Sequence, residues 1–328
     1  MRNYIIKRIL LSVLILFLVS FIIYTLLRCL PSSYVETMAR QLAMAPGAKP
    51  YKEWLAQLEG QYGLDLPLLQ GYLLQLGNLL TGNFGDSWKF TEPVLDVFSS
   101  VIWVSFVMGG IAFILQLIIA IPLGVIAATK QYSKADYAIS VFALAGISLP
   151  TFFFATLLKL VFSVKLKWFD LVGLTGRDFY QLDAMGQILD MAHHLVLPIV
   201  TLVVVSVGSL MRYTRTNMLE VLNADYIRTA RAKGLSEKKV IYHHAFRNTL
   251  IPLVTIVGGS LPGLFSGALI TETLYSIRGI GWTSYTAMTA GDIPFSMFYL
   301  LFLAVLTLAG NLISDILYAV VDPRVRIA

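Results

Sequence analysis

The middle of the chain contains a short basic segment, Ala224-Asp225-Tyr226-Ile227-Arg228-Thr229-Ala230-Arg231-Ala232-Lys233-Gly234-Leu235. It lies within residues 212–247, which hold eight Lys and Arg and separate two long apolar stretches. A compact, charged, helix-forming segment between two apolar stretches indicates a membrane protein that presents a small helical structure to a partner on one side of the bilayer. The rest of the sequence narrows the class of that partner.

The composition is that of an integral membrane protein. Hydrophobic residues make up 57% of the 328 residues, charged residues make up 13%, and the mean hydropathy is +0.74. A helix needs about 20 mostly apolar residues to cross the hydrocarbon core. Stretches of about that length or longer without Asp, Glu, Lys or Arg occur at 9–27, 97–129, 137–158, 191–211, 248–271 and 293–314. They predict an all-α fold with six transmembrane helices.

The distribution of basic residues predicts the orientation. With the N-terminus in the cytoplasm, the inner pieces hold 15 of the 25 Lys and Arg in a minority of the connecting residues. This is the positive-inside pattern, and it places both termini in the cytoplasm. Attraction to the anionic inner leaflet explains the net charge of +6, so no nucleic-acid partner is needed. The inner pieces are 1–8, 130–136, 212–247 and 315–328.

Residues 31–96 are too long to be a simple connector between the first two spans. Helical spacing of apolar residues predicts one helix near 51–62 and a second near 66–80, with Asp65 as the N-cap of the second and Pro67 in its first turn. This extracellular helical segment is either a cap packed on the outer ends of the spans or a docking surface for an external partner. The predicted division is therefore an N-terminal transmembrane helix at 1–30, the extracellular segment at 31–96, and a core of five transmembrane helices at 97–328.

The fifth predicted span carries the most helix-breaking residues. Gly258-Gly259 is followed by Pro262-Gly263, and each of these residue types weakens a helix. Two interpretations stay open at this point. The segment is a flexible helix that lines a pathway and bends, or it is a helix whose glycines allow close packing in a bundle.

The sequence lacks the groups that ion-coupled carriers and enzymes need. Glu272 and Asp315 fall at the ends of predicted spans, whereas coupling to protons or sodium requires polar groups near the midplane. There is no Gly-x-x-x-x-Gly-Lys-Ser/Thr motif, so the chain has no P-loop with which to bind ATP. His193-His194 and His243-His244 have no Cys or carboxylate at metal-ligand spacing in the sequence, so we expect no metal site, no catalytic residue and no bound cofactor.

Local signals within 212–247 predict a short helix. Asn223 or Asp225 is placed to cap it, Lys233 is near its end, and Gly234 can adopt the left-handed conformation that ends helices. Leu235 would fold back on the preceding turn, and the next helix would begin at Ser236 with Glu237 beside it.

The predicted helix has one small apolar face. Tyr226, Ile227 and Ala230 would form this face and offer it to the groove of a partner protein. Binding to anionic lipid is the alternative, but the face is narrow and poor in Trp, Phe and Leu, so protein docking is favoured. The basic residues around it are Arg228, Arg231 and Lys233.

At these residues the chain resembles the inner-membrane permease subunits of ATP-binding-cassette importers. Ala230, three residues and Gly234 match the core of the cytoplasmic "EAA" loop of that family, although Arg228 and Thr229 stand where the general pattern has Glu-Ala. The longer pattern is similar to the B-type subunit of the dipeptide/oligopeptide permeases. The runs that carry this similarity are 225–237, 244–248, Ile251-Pro252, Gly82-Asn83-Phe84-Gly85-Asp86-Ser87, Pro93-Val94, Glu272-Thr273, Gly279-Ile280-Gly281 and Asp322-Pro323-Arg324-Val325-Arg326.

The resemblance implies a type I importer fold in a prokaryotic cytoplasmic membrane. It implies four kinds of partner: a second homologous permease subunit, two cytoplasmic ATPase subunits that bind ATP and Mg²⁺, an extracytoplasmic solute-binding protein, and the lipid bilayer. Residues 225–235 would form the coupling loop that contacts an ATPase subunit. Glu272 is a further candidate for a contact with the binding protein.

The resemblance also implies a solute class. Members of this family mostly import peptides, and relatives handle nickel chelates, opines, glutathione or oligosaccharides. A self-standing channel or membrane scaffold, with a basic loop that binds lipid or a regulator, is the competing hypothesis from another class.

Overall fold

The structure is a computed structural model that describes residues 2–30 and 34–321. Within these residues the regular elements are helical, which confirms the all-α prediction. The last motif of the family resemblance, at 322–326, lies outside the described residues. The helices are α1 (Arg2–Arg28), α2 (Tyr34–Ala43), α3 (Tyr51–Gln61), α4 (Leu68–Leu80), α5 (Val94–Thr129), α6 (Lys134–Ser148), α7 (Thr151–Leu158), α8 (Ala184–Leu222), α9 (Asp225–Ala232), α10 (Glu237–Lys239), α11 (Phe246–Gly259), α12 (Leu261–Phe265), α13 (Leu269–Tyr275), α14 (Ile280–Thr289) and α15 (Ile293–Val321).

Four helices are long and apolar enough to cross a membrane. They are Ile6–Arg28, Val94–Thr129, Ala184–Leu222 and Ile293–Leu317. Two bent pairs satisfy the same criterion: Lys134–Ser148 with Thr151–Lys165, bent by 102°, and Glu237–Leu250 with Pro252–Phe265, bent by 44°. The described residues therefore contain four to six spans, and the predicted number of six holds only if each bent pair is one span.

The sharper bend has a local cause. Leu149 has an extended backbone (ψ 123°), and Pro150 follows it as the N-cap of α7. A proline disfavours the helical conformation at the residue before it, and here Leu149 is extended, so α6 ends there and α7 starts in a new direction. The stretch 137–158 was predicted as one span in which Pro150 invites a kink, and the structure shows a break of 102° there.

The chain divides into two compact units, and α5 and α15 each contribute residues to both. The first unit contains residues up to Trp103 together with Ile280–Ala309. In it, α2 and α3 pack through Val35, Ala39 and Leu58, which are all buried. The Arg28 guanidinium at the end of α1 donates hydrogen bonds to the carbonyls of residues 63, 64 and 66, which ties the outer helical segment to the first span.

The start of α4 differs from the prediction. Pro67 is its N-cap residue, with no side-chain cap, so Asp65 does not cap this helix. Tyr72 of α4 is 1% exposed and packs on Tyr24 of α1, and its hydroxyl lies 2.8 Å from that of Ser20. Burial of an aromatic ring with a satisfied hydroxyl anchors α4 to the first span. Within this unit α4 therefore packs along α1.

A buried carboxylate in the same unit begins the last helix. Asp292 is fully buried, and one of its oxygens accepts a hydrogen bond from the Phe295 amide, as expected for an N-cap. The other oxygen accepts from the Ser87 hydroxyl and from the Lys89 amide. Burial raises the pKa of Asp292 above its ordinary value, and the hydrogen bond from Ser87 partly opposes that shift. This group holds the turn-rich segment after α4 against the start of α15.

The second unit contains Val104–Gly279 and the residues from Gly310 onward. Its main core is formed by α5, α6, α7 and α8, and small residues let α6 and α8 approach closely. A Cβ on Gly208 would lie 2.5 Å from the Ala143 carbonyl oxygen, and one on Gly146 would lie 2.7 Å from that of Val204. Close backbone approach at glycine is the usual way in which membrane helices pack.

Candidate functional site

The short helix predicted within 212–247 is α9. It begins after Ala224, whose carbonyl accepts from the Ile227 and Arg228 amides, so neither Asn223 nor Asp225 caps it through a side chain. Asn223 is instead the C-cap residue of α8. The Asp225 carboxylate lies in the first turn of α9, where it interacts favourably with the helix dipole.

The predicted end of the helix is confirmed. Gly234 has a φ of +74°, and the Leu235 amide donates back to the Ala230 carbonyl at 3.4 Å. A left-handed residue followed by a backward hydrogen bond is a common helix stop, and it favours glycine because other residues are strained there. Ser236 is then the N-cap residue of α10, also as predicted.

The orientation of α9 contradicts one prediction. Ile227 is fully buried and Ala230 is 7% exposed, and both pack in a cluster with Met218 and Val240. The face expected to be offered to a partner is therefore turned toward the chain itself, and only Tyr226, at 48% exposed, stays outside. An eight-residue helix is too short to be stable alone in water, so it needs this packing to form.

The outward face of α9 is mainly polar. The Arg231 guanidinium donates to Glu237 at 2.7 Å, and this carboxylate raises the pKa of Arg231. Arg228 lies 3.6 Å from Asp225, and both side chains are largely exposed. The other exposed residues of this face and the turn after it are Thr229, Ala232, Lys233 and Gly234. The outward side of α9 and the turn after it thus present the Tyr226 ring, several charged side chains and the small residues Ala232 and Gly234. The opposite side of the helix is packed against its own chain.

An ion pair that the sequence did not reveal lies at one end of α6 and α8. The Arg215 guanidinium donates to both oxygens of Asp136 at 2.9 Å. The same carboxylate accepts from the Tyr132 amide and the Ser140 hydroxyl. The Asp136 side chain is 5% exposed and that of Arg215 is 26% exposed, so this pair is partly shielded from water. Ser133, which caps α6, was the only local signal, because Asp136 and Arg215 are far apart in the sequence.

A cavity of about 600 Å³ lies within the second unit. Among the described residues that line it, none carries a charge, and most are small, apolar or hydroxyl-bearing. Such a surface offers a solute weak, uncharged contacts rather than one tight binding site. Its polar lining residues are Ser105, Gln116, Ser206, Ser209, Tyr213 and Ser260.

In the segment 258–263, different glycines fit the two interpretations, close helix packing and the lining of a pathway. A Cβ on Gly258 would lie 2.9 Å from the Ser314 Cα, so this glycine serves close helix packing. Gly259 and Gly263 have no heavy atom within 4 Å of that position, and both line the cavity. Pro262 lies in the first turn of α12, which starts after an interruption at Ser260. One segment thus contributes to packing on one side and to the cavity on the other.

Glu272 is buried within the second unit. Its side chain has no exposed surface, and one oxygen accepts from the Ser105 hydroxyl at 2.8 Å and from the Ala268 amide at 3.0 Å. Gly279 packs against it so closely that a Cβ there would lie 2.5 Å from the carboxyl carbon. The predicted contact of Glu272 with a binding protein is therefore wrong for this conformation, because nothing outside can touch the carboxylate.

Comparison with known proteins identifies the family. Residues 120–327, more than half of the chain, match the family described as binding-protein-dependent transport system inner membrane component. This chain belongs to that family. The family resemblance based on the sequence motifs is confirmed, and the chain is a multi-pass membrane transport permease.

Similar permeases cover almost the whole chain. The oligopeptide transport system permease protein AppB of Bacillus subtilis is 36% identical over 327 residues, which cover 99% of this chain and 100% of the relative. The di/tripeptide transport system permease protein DppB of Pseudomonas aeruginosa is 36% identical, covering 99% of each chain. The oligopeptide transport system permease protein OppB of Haemophilus influenzae is 32% identical, covering 99% and 100%.

A solved structure shares the fold of this permease. The MetNI methionine ABC transporter, solved in inward facing conformations, matches with a TM-score of 0.53 and 15% identity, covering 70% of this chain and 97% of that chain. At this identity the likeness concerns the fold alone. It establishes the fold as that of an ABC importer permease.

Proposed function

We propose that this permease is the membrane-spanning subunit of an ATP-driven importer of dipeptides or oligopeptides. The observation that carries the proposal is α9, a short helix whose apolar side is fixed to its own chain while its polar side faces solvent. A helix fixed in this way moves together with the residues it packs on, so a partner that displaces its polar face also displaces the attached helices. The relatives named as peptide permeases supply the solute class.

The proposed assembly has five other components or surroundings. A second, homologous permease subunit completes the translocation pathway, and two cytoplasmic ATPase subunits bind and hydrolyse ATP with Mg²⁺. An extracytoplasmic binding protein delivers the solute, and the bilayer surrounds the spans. In this arrangement α9 and both termini are cytoplasmic, and α9 lies in a groove of one ATPase subunit. In this arrangement ATP is bound and hydrolysed by the ATPase subunits and not by this chain.

The cavity fits the proposed cargo. Peptides present amide groups along the main chain and varied side chains, so a transporter for many peptides needs a pathway that holds none of them tightly. The uncharged lining with scattered hydroxyls meets that requirement. Nickel chelates, opines, glutathione and oligosaccharides remain alternative solutes, and the ligand held by the cognate binding protein distinguishes among them.

Co-purification tests the role of the outer face of α9. The permease would be expressed with its ATPase subunits and extracted in detergent. We expect Tyr226→Ala and Arg228→Glu to reduce ATPase retention about tenfold or more, as for residues at the centre of an interface. Tyr180→Ala is the matched control, since this tyrosine is 90% exposed and lies outside the loop. Wild-type retention in both α9 variants would refute the proposed contact.

A further inference from the structure

An adjacent pair of histidines near the start of α8 lies beside an acidic residue from the preceding loop. One ligand atom from each of Asp170, His193 and His194 lies within 4.8 Å of the other two. The sequence showed no carboxylate at metal-ligand spacing from this pair, but the folded chain brings one beside it. Asp170 precedes His193 by 23 residues, and only the folding of the loop back onto α8 brings them together.

The hydrogen bonds of His194 leave one ring nitrogen available to a ligand. Its Nδ1 lies 2.8 Å from the carbonyl oxygen of Asp190, which can only accept, so Nδ1 carries a proton. The other nitrogen, Nε2, lies 3.2 Å from a carboxylate oxygen of Asp170. A lone pair on Nε2 and a carboxylate oxygen repel each other, so this contact needs a proton or a metal ion between the two atoms.

His193 is also held by a hydrogen bond from one ring nitrogen, but through Nε2 instead of Nδ1. Its Nε2 lies 3.0 Å from the Trp168 carbonyl oxygen and so donates to it, which leaves Nδ1 as the ligand atom. The ring also stacks on Phe169, with centroids 4.8 Å apart. Metal-ligating histidines are typically held by a hydrogen bond from the second ring nitrogen to a carbonyl or carboxylate. Both histidines already have that support.

We infer that Asp170, His193 and His194 bind one divalent transition-metal ion, for which Zn²⁺ is the reference case. Zinc bonds of about 2.0–2.1 Å at tetrahedral angles separate two ligand atoms by roughly 3.3–3.4 Å. The distance of 3.2 Å between His194 and Asp170 is close to that value. Two imidazole nitrogens favour Zn²⁺, Ni²⁺ or Cu²⁺ over the oxygen-seeking Mg²⁺ and Ca²⁺.

The exposure of the three side chains suits metal binding. The His194 side chain is 2% exposed and gives the site a fixed point, whereas that of Asp170 is 61% exposed and His193 is also exposed. The two exposed ligands can close by the roughly 1–1.5 Å that coordination requires. Water can fill the remaining coordination positions because the site is open to solvent.

Metal binding would fix the loop between α7 and α8. The Gly176 amide in this loop already donates to Asp190 of α8, and the Gly173 amide donates to the Tyr275 carbonyl at the end of α13. The Trp168 carbonyl of the loop also accepts a hydrogen bond from His193 of α8. A metal bridge from Asp170 to α8 would add a further attachment to this loop. The site would thus clamp the loop to α8, within the second unit.

Calorimetry with Zn²⁺ tests the site. The full chain would carry a histidine-free affinity tag and be reconstituted in nanodiscs. We expect one Zn²⁺ per chain in the wild type, and about 10- to 100-fold weaker binding in Asp170→Asn and in His193→Gln. Both altered residues are exposed, so these variants avoid the folding risk of changing His194. His243→Gln is the matched control, because it removes an exposed histidine from the other adjacent pair, and its zinc affinity should equal that of the wild type.

Two results would overturn the inference. If the wild type binds no Zn²⁺, the cation that faces Asp170 is only a proton. If either Asp170→Asn or His193→Gln binds Zn²⁺ as tightly as the wild type, the three residues do not form one site. These titrations measure metal binding alone, so their outcome does not depend on whether the proposed transport function is correct.

Discussion

Replacing Ile227 by alanine should loosen α9 from its own chain. The side chain is fully buried against Met218 and Val240, and the substitution removes three carbon atoms. At about 0.8 kcal/mol for each buried methylene, the lost transfer free energy is about 2.4 kcal/mol. The cavity left behind adds to this, so the expected cost lies between about 2.4 and 5 kcal/mol.

Hydrogen–deuterium exchange measures this local stability. A cost of 2.4 kcal/mol corresponds to a roughly 60-fold rise in the exchange rate of the amides of α9, if they exchange by local opening. Thr229→Ala is the matched control on the same helix, since Thr229 is exposed and its hydroxyl donates only to the Asp225 carbonyl of its own helix. We expect this exposed substitution to change stability by less than about 0.5 kcal/mol.

Equal exchange rates in the two variants would refute the burial of Ile227 as the anchor of α9. Faster exchange in Thr229→Ala than in Ile227→Ala would show that the helix is seated by its other face. The same experiment bears on Ala230, which also faces inward. A bulky residue there should detach α9 from its core rather than block a partner directly.

Three other predictions follow from the described contacts. Gly258→Ala should lower the free energy of unfolding in detergent by about 1–3 kcal/mol through overpacking. Gly259→Ala should be neutral or slightly stabilising, because its Cβ would meet nothing within 4 Å. Equal effects of the two substitutions would contradict the packing described. Arg215→Gln removes the bidentate partner of the Asp136 carboxylate. Because the Arg215 side chain is 26% exposed and Asp136 keeps two other donors, the expected cost is about 1.5–3 kcal/mol. Asp136→Asn should restore part of it in the double variant, and an additive double variant would contradict the pairing. Burial raises the folded-state pKa of Asp292, so above pH 3.8 the folded chain keeps a proton that the unfolded chain releases, and the contribution of Asp292 to stability should fall as the pH rises. Asp292→Asn should therefore weaken the dependence of the melting temperature on pH above 3.8. An unchanged dependence would contradict this assignment.

Local signals in the sequence predicted local structure well. The stop at Gly234 and the restart at Ser236 were predicted correctly, because a left-handed glycine and a helix cap depend only on neighbouring residues. The division into apolar spans was also largely predicted, since each span needs a long run of apolar residues. Pro150 indicated a kink, but its sequence context did not show that the chain would break there while helices continue through Pro122 and Pro198.

Interactions between distant residues could not be predicted in this way. The apolar face of α9 has the same pattern whether it packs on its own chain or on a partner, and only the folded cluster around Met218 decides between them. Glu272 was expected near an outer surface because it follows the end of an apolar stretch. Its carboxylate is instead buried and accepts a hydrogen bond from Ser105 of α5. The position of Asp170 beside His193 likewise depends on the path of a loop.

Transport by reconstituted vesicles tests most directly the claim that this permease is driven by ATP through α9. The permease, its second permease subunit, the ATPase pair and the binding protein would be placed in proteoliposomes with labelled peptide outside. We expect uptake only when ATP and all partners are present, and we expect Gly234→Asp, at a residue with a φ of +74°, to abolish uptake without preventing insertion. Peptide uptake by this chain alone, without nucleotide, or wild-type uptake by Gly234→Asp would contradict the account.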